Sequence, residues 1–80
     1  MKHLLQATAH YKTGGHQTFR VRITLIGRNI NCIEEVPLET PEYLDGVLCR
    51  LELPNGRWVL LTDKYQDVID AWHQTLEDSL

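Results

Sequence analysis

No apolar run in this chain approaches the ~20 residues that a membrane-spanning helix requires. The opening MKHLLQATAHYKTGG has only a pair of leucines where a secretory signal has its apolar middle, so a cytoplasmic protein with no membrane role is expected. Serine occurs once, as Ser79 beside the last residue, and no serine nucleophile can be argued from it. The glycines form no phosphate-cradling loop, because KTGGHQ at 12–17 lacks the spacing. His3, His10 and His16 are separated by neither zinc-finger intervals nor an i, i+4 step, and Cys32 and Cys49 add no ligand spacing. The two cysteines sit among apolar residues, as small buried thiols do in a reducing compartment. No metal, no cofactor and no catalytic group is therefore expected.

Acid is also missing from one part of the chain. Residues 1–33 carry Lys2, Lys12, Arg20, Arg22 and Arg28 without a single Asp or Glu, and all eleven acids follow after them. The net charge of −3 thus conceals a basic segment and an acidic one. Such asymmetry can mark a surface for an anionic partner. The favoured reading is that the opposite halves attract each other, within one fold or between subunits.

What is present is enough for one small domain. Eighty residues, 42% hydrophobic and 24% charged, have the composition of a globular protein and not of a disordered one. A chain this short buries only roughly 60–65% of its unfolded surface, so every apolar face has to be used.

Two stretches of period two come first. In TFRVRITLI, Phe19, Val21, Ile23 and Leu25 alternate with Thr18, Arg20, Arg22 and Thr24. In residues 4–12, Leu5, Ala7, Ala9 and Tyr11 alternate with Gln6, Thr8, His10 and Lys12. Gly14-Gly15 between them can supply the positive φ of a reversal, which predicts a β-hairpin. Tyr11 and Phe19 are in phase with its apolar face and are expected in the core. Its wet face is a strip of Thr8, His10, Lys12, Thr18, Arg20 and Arg22. A two-stranded ribbon of that kind can follow phosphates, so Lys12, Arg20 and Arg22 are candidate nucleic-acid contacts.

Residues 27–36 hold a weaker strand pattern, with Ile30, Cys32 and Glu34 expected on one side. ETPEYLDG then carries helix signals for about one turn: Thr40 as cap, Pro41 at the first position, Glu42 at the positive end, Gly46 as stop. Glu39, Glu42 and Asp45 make this segment acidic. Solvated charge is the expected role of these carboxylates, and they are also candidate protein contacts.

Pro54-Asn55-Gly56 predicts a type I turn with a glycine bulge, pairing Leu53 with Arg57, Glu52 with Trp58, Leu51 with Val59, Arg50 with Leu60 and Cys49 with Leu61. A two-residue Asn-Gly turn would shift the register and set Leu53 opposite Trp58. In the bulged register Val47, Cys49, Leu51, Leu53, Val59 and Leu61 form a core face. Leu48, Arg50, Glu52, Trp58 and Leu60 form a mixed one. Trp58 is then either covered by the loop at 36–46 or by the protein's own helix, which is the favoured reading, or it is an anchor for a partner. The final helix is the plainest element. Tyr65, Val68, Ile69, Trp72 and Leu76 make one stripe, with Thr62 or Asp63 as cap and Gln66 at the capping-box position of Asp63. Lys64, Asp67, Asp70, Gln74, Glu77 and Asp78 face water.

IEE at 33–35, LPNGRWVLL at 53–61 and YQDVIDAW at 65–72 loosely resemble small flagellar proteins of the FlbD type, which place a similar hairpin before a short helix. The resemblance rests on turn and helix signals, has no counterpart for the basic hairpin, and transfers no functional residue.

Together these features predict an α+β domain: an antiparallel sheet of four to five strands in two hairpins, with one C-terminal amphipathic helix on one face. The expected function is a non-enzymatic protein-interaction module, such as a small regulator, adaptor or inhibitor, of the kind a bacterial or phage accessory factor supplies. Trp58, Arg50, Glu52, Glu39, Glu42 and Asp45 are its candidate contacts. The alternative is nucleic-acid binding through the basic hairpin. Open sheet edges make a homodimer an expected partner in either case.

Overall fold

The protein is described by a computed structural model covering residues 4–15 and 17–78. Its elements run β1 (Leu4–Lys12), β2 (Thr18–Ile26), a 3₁₀ turn (Gly27–Asn29), β3 (Cys32–Glu35), α1 (Pro41–Leu44), β4 (Cys49–Glu52), β5 (Trp58–Leu61) and α2 (Tyr65–Asp78). The strands form one antiparallel sheet in the order β2-β1-β5-β4-β3, and α2 packs on one face of it.

The period-two alternation of the first hairpin becomes nine regular pairs, from Leu4↔Ile26 to Lys12↔Thr18, with no bulge. The reversal is closed by the Thr13 N–H donating to Gln17 O at 2.8 Å. Left-handed glycines occur instead at Gly46 and Gly56, so the positive φ expected at Gly14-Gly15 is not used. Gly56, at φ 82°, is the bulge of the second hairpin. There the Leu53 N–H donates to Arg57 O at 2.8 Å, and Glu52↔Trp58 through Cys49↔Leu61 pair as the type I turn requires.

The core lies between α2 and the inner sheet face. Leu5, Ala7, Ala9, Ile33, Cys49, Leu51, Val59 and Leu61 point into it from four strands, joined by Ile30 and Val68. Tyr65, Ile69 and Trp72 extend the helical stripe over this cluster. The helix is held at its far end by the 3₁₀ turn: the Trp72 indole N–H donates to Gly27 O at 2.8 Å. Thr75, buried in the same turn of α2, lies so close to Gly27 that any Cβ there would collide with it.

Several expectations are corrected by how the layers stack. Phe19 is 48% exposed and Val21 42%, although both share the inner face with buried Ala9 and half-buried Tyr11. The helix packs over β1, β3 and the 3₁₀ turn, and the turn end of the hairpin projects past it. In β3 the expected grouping of Cys32 with Glu34 holds, but Ile30 does not share their side. Ile33 is the core residue, Cys32 and Glu34 share the outer face, and Ile30 is buried from the 3₁₀ turn and not from the strand. Val47 is fully buried, but it lines a cavity on the outer face beside His10 and Leu60. Cys32 and Cys49 lie on neighbouring strands but on opposite faces, and both are free thiols.

The start of α2 also differs. The first helical bond joins the Val68 N–H to Lys64 O at 3.1 Å. Asp63 caps nothing: its carboxylate accepts the Thr8 backbone N–H at 2.6 Å, tying the entry of α2 to β1. Gln66 donates to Asp70 at 2.9 Å, one turn along, in place of a capping box. By contrast α1 follows its signals. Thr40 Oγ1 accepts the Tyr43 N–H at 3.3 Å, Pro41 opens the turn, and Gly46 ends it at φ 96°.

Candidate functional site

The outer sheet face, opposite α2, carries nearly all the polar residues of the strands. Antiparallel pairing sets Glu34 opposite Arg50 and Glu52 opposite Trp58, so these four side chains share that face. The Arg50 guanidinium lies 3.2 Å from the Glu34 carboxylate, and its Cζ stands 4.6 Å from the centroid of the Trp58 ring. Arg50 is thus held between an acid and an aromatic face, a cation–π geometry that steadies the indole. Trp58 remains 37% exposed, and the expectation that it packs into the protein's own core is overturned. The helix does not cover it, because α2 occupies the other face. Glu34 was not among the expected contacts; its pairing with Arg50 follows from the β3 register, which the weak alternation at 27–36 did not reveal.

The basic strip occupies the same face further along the sheet. The register, which alternation alone leaves open, places Thr8 opposite Arg22, His10 opposite Arg20 and Lys12 opposite Thr18. It is not an open strip. The acidic turn α1 sits beside it, with Lys12 Nζ 3.9 Å from Asp45 and Arg20 packed so near Gly46 that a Cβ there would lie 2.9 Å from the guanidinium. His10, expected in water, is only 7% exposed. It lines a cavity of about 260 Å3 with Pro41, Glu42, Asp45 and Leu60, and its Nδ1 has no hydrogen-bond partner among the described residues. Period two put His10 on the wet face correctly; only the packing of α1 against that face removes it from solvent. The basic and acidic halves of the sequence therefore meet within one chain, at an exposed ion pair worth little stability by itself.

Among the acidic candidates, Glu42 and Asp45 lie at the cavity just described, and Glu39 is exposed on the preceding loop in the left-handed region, at φ 74°. No hydrogen bond or ion pair among the described residues joins these three to the Trp58 cluster. Leu38 and Leu44 beside them are exposed apolar side chains.

The thiols are poised against ionisation. Burial pushes Cys49 up to about 12, with Asp63 and Glu35 adding to the shift, and its S–H lies 3.4 Å from Asp63 O. Cys32 is raised by desolvation and then by Glu52 and Glu34, with Arg50 opposing. A thiolate nucleophile is disfavoured at both positions. No group of three or more His, Cys, Asp or Glu residues able to hold a metal occurs among the described residues, and no helix there is long and apolar enough to cross a membrane. Lys2, His3, His16 and Ser79, together with the side chain of Asp78, lie outside the described residues.

No protein-family model matches the chain, and neither a curated protein nor a solved structure matches it significantly. The likeness to small flagellar proteins stays a likeness of turn and helix signals.

Proposed function

We propose that the protein is a non-enzymatic protein-interaction module of the cytoplasm, a small regulator, adaptor or inhibitor that docks on a larger assembly through the outer face around Trp58. The observation that carries this reading is the exposed Trp58 ring, steadied by Arg50 on a sheet face that α2 leaves uncovered. Trp and Arg are enriched among binding hot spots: Trp buries a large rigid area at low entropic cost, and Arg offers a planar fork of donors to polar groups of the partner. Glu34 and Glu52 supply such a rim. The exposed Leu38 and Leu44, set among Glu39, Glu42 and Asp45, extend the apolar and acidic surface available to a partner.

Nucleic-acid binding is the second reading, favoured by the register that gathers Lys12, Arg20 and Arg22 on one face. Against it stand Asp45 at Lys12 and the acidic turn along the strip. The two readings separate in a paired experiment. Affinity capture of partners from the source cells is run with wild-type, Trp58→Ala and Arg20→Glu/Arg22→Glu baits, alongside anisotropy of a labelled mixed-sequence oligonucleotide at low and high salt. Loss of a specific protein partner with Trp58→Ala alone, the fold intact by circular dichroism, supports docking at Trp58. Capture unchanged by Trp58→Ala, with salt-sensitive oligonucleotide binding that the double reversal abolishes, replaces it by the second reading.

A further inference from the structure

The two edges of the sheet are protected very differently. β3, at one edge, is four residues long and carries exposed Glu34 and Glu35, which is how natural sheets discourage added strands. β2, at the other, runs nine residues in regular register, with neither proline nor bulge. Its backbone polarity can be read from its neighbours. Thr13 donates to Gln17, the next pair along the ladder towards the turn, so residues of odd number in β2 bond to β1. The same alternation in β1 turns Thr8 towards β5, where its carbonyl accepts the Thr62 N–H at 3.0 Å. Thr18, Arg20, Arg22 and Thr24 therefore aim their N–H and C=O groups outward, and no described residue pairs with them there.

The two faces of this edge have opposite character. Phe19 and Val21 stand exposed on the inner side, past the end of the helix, with Phe19 tilted against Tyr11 at 5.8 Å between ring centroids. Arg20 and Arg22 stand on the other. A second copy is a poor occupant. Full two-fold antiparallel pairing of residues 18–26 centres on Arg22 and sets it against its own copy, and a slip of one position towards the turn sets Arg20 against Arg22 twice. Like charges directly opposite oppose pairing.

We propose that β2 accepts an extended segment of a partner protein as a sixth strand, one whose residues alternate between acidic and apolar. The acids lie across from Arg20 and Arg22, the apolar side chains across from Phe19 and Val21, and the main chain bonds the outward groups of the even-numbered residues. This surface is separate from Trp58, since β1 lies between β2 and β5.

The probe is an acetylated, amidated peptide of about nine residues alternating valine with glutamate, with a valine–lysine peptide as its counterpart and NMR amide exchange as readout. The glutamate peptide binds, more weakly as salt rises, and slows exchange at Arg20, Arg22 and Thr24. Thr24→Pro removes one outward N–H while leaving the bonds to β1 and every charge, and weakens binding about tenfold. Arg20→Glu/Arg22→Glu loses the glutamate peptide and gains the lysine peptide. The proposal is overturned by absence of binding, by binding indifferent to Thr24→Pro, or by outward amides already protected in a self-associated free protein. It is equally overturned if an oligonucleotide, and not the glutamate peptide, slows these amides. Trp58→Ala leaves peptide binding unchanged, so failure here and failure of docking at Trp58 are read separately.

Discussion

Replacing Gly27 by alanine tests whether the contact between α2 and the 3₁₀ turn organises the whole fold. Gly27 is not in the left-handed region, so the substitution carries no backbone strain. By itself it would stabilise by about 0.4–1 kcal/mol, because alanine restricts the unfolded chain. Against this stands the new methyl group, which meets the Thr75 side chain from its Cβ to its hydroxyl. That hydroxyl is anchored, donating to Trp72 O at 2.6 Å, so it cannot swing clear without losing a buried bond. Overpacking of this kind costs about 1–3 kcal/mol. If the turn moves away, the Trp72 indole loses Gly27 O as well, at about 1 kcal/mol or more. Summing these effects leaves a net loss of about 2 kcal/mol. An 80-residue domain has on the order of 4–12 kcal/mol in all, so the loss is a large fraction. Urea unfolding followed by far-UV circular dichroism measures it directly, and the melting temperature should fall by about 8–16 °C. Thr75→Ala in the Gly27→Ala background should recover part of the loss by removing the hydroxyl and one methyl group. A Gly27→Ala protein within about 0.5 kcal/mol of wild type would refute the reasoning, for the helix would then tolerate displacement from the turn.

Two further perturbations probe the join between the sheet and the entry of α2. Asp63→Asn weakens the acceptor of the Thr8 N–H and should cost about 1 kcal/mol, with the Thr8 amide exchanging faster than its neighbours in β1; an unchanged Thr8 amide would show that the carboxylate is not the clamp. Cys49 has a proton affinity in the folded state raised from 9.0 to about 12, so the native protein binds more protons than the unfolded chain between those values. Its contribution to stability is complete below pH 9.0 and is lost as pH rises towards about 12. Denaturant midpoints across this range should fall more steeply for wild type than for Cys49→Ala, and equal slopes would contradict the assignment.

Much of the architecture was legible because period two and turn chemistry are local. The bulged turn at Pro54-Asn55-Gly56 set the register of β4 and β5 through one left-handed glycine, and the alternation in residues 4–12 and 18–26 marked both strands to the residue. The candidate site was legible only in part. Pairing brought Arg50, Glu52 and Trp58 onto one face as expected, while Glu34 joined them through a β3 register hidden by short, mixed alternation. The failed capping box has the same origin. Asp63 satisfies a donor on β1, a residue remote in sequence, and a long-range partner outcompeted the local one.

The sequence by itself determined which residues share a face, because side-chain direction in a strand follows from position alone. It also determined the one-turn α1, whose cap is short-range, and the stripe of α2, whose spacing is. Only the tertiary structure decided which of those faces is dry. Phe19 is in phase with the core but lies beyond the reach of α2. His10 is in phase with solvent but lies beneath α1. Trp58 stays in view because the helix covers the opposite side of the sheet. Burial depends on where a separate layer comes to rest, and that depends on contacts such as Trp72 with Gly27, which no local pattern encodes.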